Sequence, residues 1–217
     1  MGRPIVLTAT LAAADDDGIA ASQTPTGAGN LTLNGALVVS GVAVLTGTGI
    51  VRQVIITSAG NDTARTFTIT GTDMDGTTIS EALTGASGGI ATSAKYYKTV
   101  TNIAVDAATA AAVKAGTNGI GASKPFNPDY YDNPFAIGIG CVVSGTINYT
   151  VQHTFDEFYN TTANTFAGAT WFPNSGITAK AVNTDGNYAF AVSAIRILVN
   201  SGTGTVTGTF IQSTHSP

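Results

Sequence analysis

Charge is scarce in this chain. Asp, Glu, Lys and Arg make up 10% of its 217 residues, where a typical soluble domain carries roughly 25%. Nine basic against thirteen acidic residues leave a net charge of -4. No basic stripe is present to neutralise phosphates, which argues against a nucleic-acid partner. Cysteine is limited to Cys141, so no internal disulfide can form. A lone thiol of this kind reads as a small buried apolar residue. Two histidines, His153 and His215, join it. That set is too small for a zinc site. No apolar run reaches the about eighteen residues of a membrane helix, so no membrane partner is expected.

The straight-chain helix formers Glu, Lys, Arg, Gln and Met are also few. In their place stand 35 Thr and 26 Gly. Thr is β-branched and favours strands. Gly marks turns and bulges. The composition is that of an all-β protein. Its neutral surface of Thr, Ser, Asn and Ala suits a protein that lives in an assembly.

Near the start, Met1-Gly2-Arg3-Pro4 precedes an apolar stretch from Ile5 to Ala14. That stretch is short, broken by Thr8 and Thr10, and led by one basic residue. It fits a secretory signal poorly. Val6 occupies the position where a myristoylation motif needs Ser or Thr. An extended arm or a first strand is expected instead within residues 1–29, with turns or linker at Asp15-Asp16-Asp17-Gly18 and Gln23 to Gly27.

From Asn30 the pattern is one of successive hairpins. Ala36 to Val39 and Val42 to Leu45 flank a two-residue turn, Ser40-Gly41. Ile50 to Thr57 is a strand, followed by a turn at Ala59-Gly60-Asn61-Asp62. Thr66 to Thr70 alternates, with Phe67 and Ile69 inward. Gly85 to Ser93 reads as a small-residue loop and Tyr96 to Val105 as strand. Asp106-Ala107-Ala108 reads as a turn, Ala110 to Ala115 as a return strand, and Thr117-Asn118-Gly119 closes it.

The composition then shifts. Lys124 to Pro134 holds three prolines and three aromatics. This is the best boundary between domains, and its tyrosines, Tyr130 and Tyr131, are expected to pack either between domains or on a partner. Beyond it, Ile137 to Val143, Thr146 to Phe155, Asn187 to Asn200 and Thr205 to Gln212 read as strands. In Thr146 to Phe155, Ile147, Tyr149, Val151, His153 and Phe155 share one face. A polar and aromatic loop, Asp156 to Ala181, carries Trp171. Val38-Val39-Ser40-Gly41 returns as Val142-Val143-Ser144-Gly145, a weak hint of duplication.

Few residues invite chemistry. "TDMDG", Thr72 to Gly76, places two carboxylates beside a glycine. An EF-hand loop needs glycine at its sixth position and glutamate at its twelfth. Counting from Asp73, Gly76 is fourth and Glu81 ninth. A hairpin turn suits the segment better. His153 lies on an apolar strand face and reads as a packed, hydrogen-bonded core histidine. Asp156 and Glu157 are adjacent, so on a strand they would face opposite ways, which does not suit a glycosidase pair. Phe158, Tyr159, Phe166, Trp171 and Phe172 could form a sugar platform, a core plug or a subunit contact. No catalytic, cofactor-binding or metal-ligating residue emerges, and no enzyme activity is expected.

Two stretches resemble structural proteins of tailed bacteriophages. In "VRQVIITSAGNDTARTFTITGTDMDGTTISEALTG", Val51 to Gly85, a strand leads to "TSAGND", then "FTITGTD", a turn and a "SEALTG" strand. Lys98 to Ile103 is similar to the strand that follows in such proteins. "DGNYAFAVSAIRILVNSGTGTVTGTFIQ", Asp185 to Gln212, resembles virion proteins with an "AIRL" strand and a Gly-Thr hairpin before a terminal "IQ". The resemblance spans about Leu31 to Gln212, and its motifs are repetitive. It implies a virion component, most like a capsid decoration or cement protein. The implied partners are the major capsid protein and further copies of the chain, a trimer being one arrangement. The implied location is the capsid surface, after synthesis in the host cytoplasm.

The expected architecture is therefore two β-sandwich or jelly-roll-like domains with an N-terminal arm. The arm is 1–29, the first β-domain 30–122, the linker 123–135 and the second β-domain 136–217. Alternatives are a tail, neck or head-fibre component, a carbohydrate-binding β-module centred on Trp171, and a hydrolase dependent on His153.

Overall fold

The computed structural model describes residues 4–45, 47–132, 135–156 and 168–213. These residues form strands and no helix. In chain order the first nine are β1 (Ile5–Leu11), β2 (Asp15–Gln23), β3 (Gly29–Asn30), β4 (Val38–Val39), β5 (Val42–Val44), β6 (Gly47–Thr48), β7 (Ile50–Asn61), β8 (Thr66–Thr72) and β9 (Thr78–Thr84). The rest are β10 (Ser87–Tyr97), β11 (Thr99–Val105), β12 (Val113–Ser123), β13 (Ile137–Ser144), β14 (Ile147–Thr154), β15 (Phe172–Pro173), β16 (Thr184–Tyr188), β17 (Ala194–Gly202) and β18 (Thr205–Gln212). The fold is all-β and of the β-sandwich type, as its Thr and Gly content implies.

The chain divides into two compact units that interleave in sequence. Unit 1 holds Met1–Ala12, Gly47–Ile50 and Ile120–Pro217, and unit 2 holds Ala13–Thr46 and Val51–Gly119. The stretch expected as a linker, 123–135, falls inside unit 1. Phe126 exchanges two backbone hydrogen bonds with Ile195, at 3.0 and 2.9 Å. Its ring packs 4.9 Å from that of Phe210. Tyr130 and Tyr131 stack on each other, 4.6 Å apart. Tyr131 is 84% exposed in the single chain.

In unit 1, five strands lie in the order β16-β13-β18-β1-β6. A second layer places β17 beside β14, with β15 on the far side of β14 and the end of β12 on β17. Both layers feed one apolar core. Ala9, Leu11, Ile137, Ile139, Val206 and Phe210 enter from the first. Ile147, Tyr149, Val151, Ile195, Ile197 and Val199 enter from the second. Period-2 alternation in each strand puts these residues on one face, and burying each large one is worth about 1.5–3 kcal/mol.

The N-terminal segment is not a free arm. Its β1 pairs with β18 from Ile5↔Phe210 to Thr10↔Thr205 and with β6 on its other side. Alternation explains this. Ala9 and Leu11 are buried and Leu7 packs against the core, so a free arm would leave all three in water. The second half of the expected arm, β2, pairs with β12 in unit 2.

In unit 2, one sheet runs β4-β5-β11-β8-β9, with β3 also on β11. β10, β7 and β12 are neighbours in that order, and β2 adds to β12. The hairpin turns fall where the sequence places them. Ser40 and Gly41 both have positive φ, 51° and 81°, the two-residue turn that matches strand twist. Between β8 and β9, Asp73 Oδ1 accepts the backbone N–H of Asp75 and of Thr77, both at 2.9 Å. Gly76 takes φ 82° there. The flanking apolar residues Phe67, Ile69 and Ile79 are buried.

Three segments differ from expectation. β7 continues through Ala59-Gly60-Asn61, and the chain turns just after, where Arg65 N donates to Asp62 O at 2.8 Å. The expected loop at Gly85 to Ser93 is mostly β10, paired with β7 from Ser87↔Asn61 onward. β12 runs straight through Thr117-Asn118-Gly119. In each case backbone pairing with a strand distant in sequence overrides weak local strand propensity. One close approach demands glycine. A Cβ at Gly71 would fall on the Thr99 carbonyl oxygen, beside the β11–β8 bulge.

Candidate interaction surface

His153 is the second-last residue of β14, and its burial follows from the alternation that puts Tyr149 and Val151 in the core. Its Nδ1 lies 3.1 Å from the Tyr188 hydroxyl. Burial pulls the imidazole below its usual pKa, so the ring is neutral at pH 7. Burial also raises the Tyr188 phenol, which stays protonated. The two form a neutral hydrogen-bonded pair, as expected of a core histidine.

Aromatic rings surround this pair. Ring centroids of Tyr188, Phe155, Phe190 and Phe172 lie 5.0, 5.2, 5.5 and 5.9 Å from that of His153. Phe155 is also 5.8 Å from Phe172 and 6.2 Å from Phe190. These spacings suit attractive edge-to-face and tilted contacts. The cluster is open to water on one side. Phe155 is 54%, Phe190 50% and Phe172 44% exposed. A buried polar pair thus carries three adjacent half-exposed phenylalanines.

The backbone beneath is fastened by side chains. Asn174 Oδ1 accepts the N–H of Gly176 and of Ile177, at 3.0 and 3.1 Å. Its Nδ2 donates to Asn187 O at 3.1 Å. Thr170 N donates to Asp156 Oδ2 at 2.5 Å. The Arg196 guanidinium covers one face of Trp171, 4.1 Å from the ring centroid, while its Nε donates to Gln152 Oε1 at 2.8 Å. Such bonds hold Phe172 and Phe190 on β15 and just past β16.

A second exposed area lies on the outer face of the five-stranded sheet. β1, β13 and β18 contain no charged residue. Thr10 and Thr205 share a hydroxyl hydrogen bond at 2.8 Å across the sheet. Val6, Val142 and Ile211 are exposed beside this threonine ladder.

The sequence placed Trp171 and Phe172 near a platform, and the structure seats Phe172 in the cluster. Phe158, Tyr159, Phe166, Glu157 and His215 lie outside the described residues. Phe155 shares a face with His153 as the alternation expects, but it is half exposed, because β14 ends at Thr154. Phe190 was missed. Its signal is an aromatic two residues beyond a buried aromatic, Tyr188, at a strand end.

Of the candidate reactive groups, His153 faces rings and a phenol. Cys141 is buried, and desolvation pushes its thiol up to about 11. Asp73 shapes its turn. Among the described residues, no group of three or more His, Cys, Asp or Glu could hold a metal. Among them too, no helix is long and apolar enough to cross a membrane.

No protein-family model and no curated protein matches the chain.

Proposed function

We propose that the protein is a non-enzymatic structural protein of a phage virion that decorates and stabilises the capsid. The observation that carries this reading is the cluster of Phe155, Phe172 and Phe190 held half exposed around His153. Contiguous exposed aromatics on a rigid sandwich mark an interaction site. Each ring is already about half covered, so covering the rest gains about half of the roughly 1.5–3 kcal/mol of full burial. The uncharged face of β1, β13 and β18 adds a surface that meets no like-charge repulsion. Repetition of modest contacts around a symmetric shell then gives avidity without one strong site. The resemblance of Val51 to Gly85 and Asp185 to Gln212 to virion proteins supplies the partner, the major capsid protein.

The test is cosedimentation of the purified chain with capsid shells of the same virus, with copies per shell counted. A stoichiometry that scales with the number of capsomers supports decoration. A single ring of copies per particle points to a neck or tail position, and no binding removes the reading.

The same rings favour a second reading, a carbohydrate-binding module, since sugars stack on exposed aromatics. Arg196 already covers one face of Trp171, which leaves the phenylalanines as the platform. Binding on a glycan array that is lost in Phe172→Ala supports it; an array without hits removes it.

A further inference from the structure

The outer face of the five-stranded sheet in unit 1 has a shape that its own fold does not require. In β13, Ile137, Ile139 and Cys141 enter the core, so Gly138, Gly140 and Val142 occupy the outward positions. Both glycines take ordinary strand backbone outside the positive-φ region. β13 pairs with β16 and β18 without a register shift, so no bulge accounts for them. A Cβ at Gly140 would meet open space, and one at Gly138 only the Ile211 carbonyl oxygen at 3.9 Å. Gly208 on neighbouring β18 is different, since a Cβ there would strike Ile197 at 2.7 Å. Glycine weakens a strand interior, and where the chain's own packing does not call for it, it marks a close approach from outside.

Apolar side chains stand beside these two hollows. Gly138 lies opposite Ile211 of β18, Gly140 opposite Thr209 and Val142 opposite Thr207. Thr209 in turn faces Val6 of β1. Val6, Val142 and Ile211 are exposed. Thr10 and Thr205 already bond each other at 2.8 Å, which lowers the cost of covering their hydroxyls. Of the five strands only β16, at the sheet edge, holds a charged residue, Asp185. One face thus carries both knobs and hollows and almost no charge. That suits a second copy of itself, because a two-fold contact needs a patch complementary to itself. At about 3.3 Å per residue and about 4.8 Å per strand, the five strands offer roughly 500 Å² of sheet. Two such faces bury roughly 1,000 Å², where specific interfaces begin.

We propose that this face binds the same face of a second copy, stacked sheet on sheet about a two-fold axis, with Val142 of each copy seated over the glycines of the other's β13. Stacked sheets lie about 10 Å apart with their side chains interdigitated, and glycine on one side makes room for valine on the other. The contact uses none of the three phenylalanines and needs no capsid, so it stands or falls apart from the capsid reading.

The test is analytical ultracentrifugation of the purified chain over a range of concentrations, as wild type and as two variants. Gly140→Val fills a hollow that is open in the single chain, so it should keep or raise Tm. Val142→Lys removes a knob and sets a charge on the face. The expected results are a monomer–dimer equilibrium for wild type and, in each variant, a dimer dissociation constant raised about tenfold or more, with unchanged circular dichroism. If one variant fails to fold, the other decides. A wild-type chain that stays monomeric or forms only trimers would overturn the proposal, as would a dimer that the folded variants leave intact. A dimer weakened by Phe172→Ser and Phe190→Ser but not by Gly140→Val would also overturn it, since the contact would then lie at the rings.

Discussion

Unit 1 carries its mismatched groups on the outside. Phe155, Phe172, Phe190 and Tyr131 are exposed, together with Val6, Val142, Val182 and Ile211. Most of its buried polar groups are paired, among them His153 with Tyr188, Tyr149 with the Val182 carbonyl at 3.1 Å and Ser123 Oγ with Ile197 N at 2.9 Å; Asp132 Oδ2 is the exception among its described residues. Unit 2 shows the reverse. Among the described residues its exposed large apolar side chains are Val39, Val44 and Ile90, with no aromatic. Inside it, Arg52, Thr57, Ser58, Asp62, Tyr97, Thr109 and Thr117 each hold at least one buried polar atom without a partner. The two costs differ in kind. An exposed phenylalanine leaves the fold intact and rewards association. A buried unpaired donor or acceptor costs about 1–3 kcal/mol of stability. Unit 1 is therefore the half with exposed rings, and unit 2 the half with more buried polar atoms to satisfy.

The comparison breaks most visibly if inside and outside rings of unit 1 behave alike. Phe210, 2% exposed and packed on Phe126, should lose about 3–5 kcal/mol on truncation to Ala. Guanidinium denaturation measures this. Phe190→Ser should change stability by less than about 1 kcal/mol, as surface substitutions do, and act on association instead. A loss at Phe190 as large as at Phe210 would mean that the cluster is core.

An acid titration gives a smaller effect. His153 has its pKa lowered by burial from 6.5. The unfolded chain therefore binds the extra proton first as pH falls. This contribution is intact above about 6.5 and is lost as pH drops from there toward the folded-state value, with a slope of at most about 1.4 kcal/mol per pH unit. His153→Gln should remove that component of the slope. An unchanged pH dependence in the variant would show that the imidazole is already free to protonate.

Much of this contrast was legible in the sequence where local rules decide. The Asp73–Gly76 turn needed only side-chain acceptors and a glycine between alternating runs. His153 was identified as buried by its place among Ile147, Tyr149 and Val151. The rest depended on partners far along the chain. Ser87 to Thr92 has little strand propensity of its own and becomes strand by pairing with β7. Ile5 to Leu11 read as either an arm or a first strand because β18, its partner, lies almost two hundred residues away. The same letters even took two geometries. Ser40-Gly41 joins paired strands, whereas Ser144-Gly145 leads from β13, paired with β16 and β18, to β14, paired with β15 and β17. The exposed cluster was only half visible, because strand ends rather than periodicity set where Phe155 and Phe190 point.

The smallest effect is expected at the Lys114–Asp16 ion pair of unit 2, 2.6 Å long and open to solvent. The contact raises the Lys114 pKa, but water and salt screen exposed pairs. Lys114→Ala should leave Tm unchanged within error. A clear drop would mean that the outside of unit 2 carries energy assigned here to its inside.

The central claim, that the phenylalanines around His153 are the contact surface, is tested most directly by one comparison. Wild-type chain and the double variant Phe172→Ser, Phe190→Ser are each titrated onto capsid shells of the same virus, after circular dichroism has verified equal folding. Wild type is expected to saturate the shells and the variant to lose at least tenfold in affinity. Equal binding of the two folded proteins would contradict it.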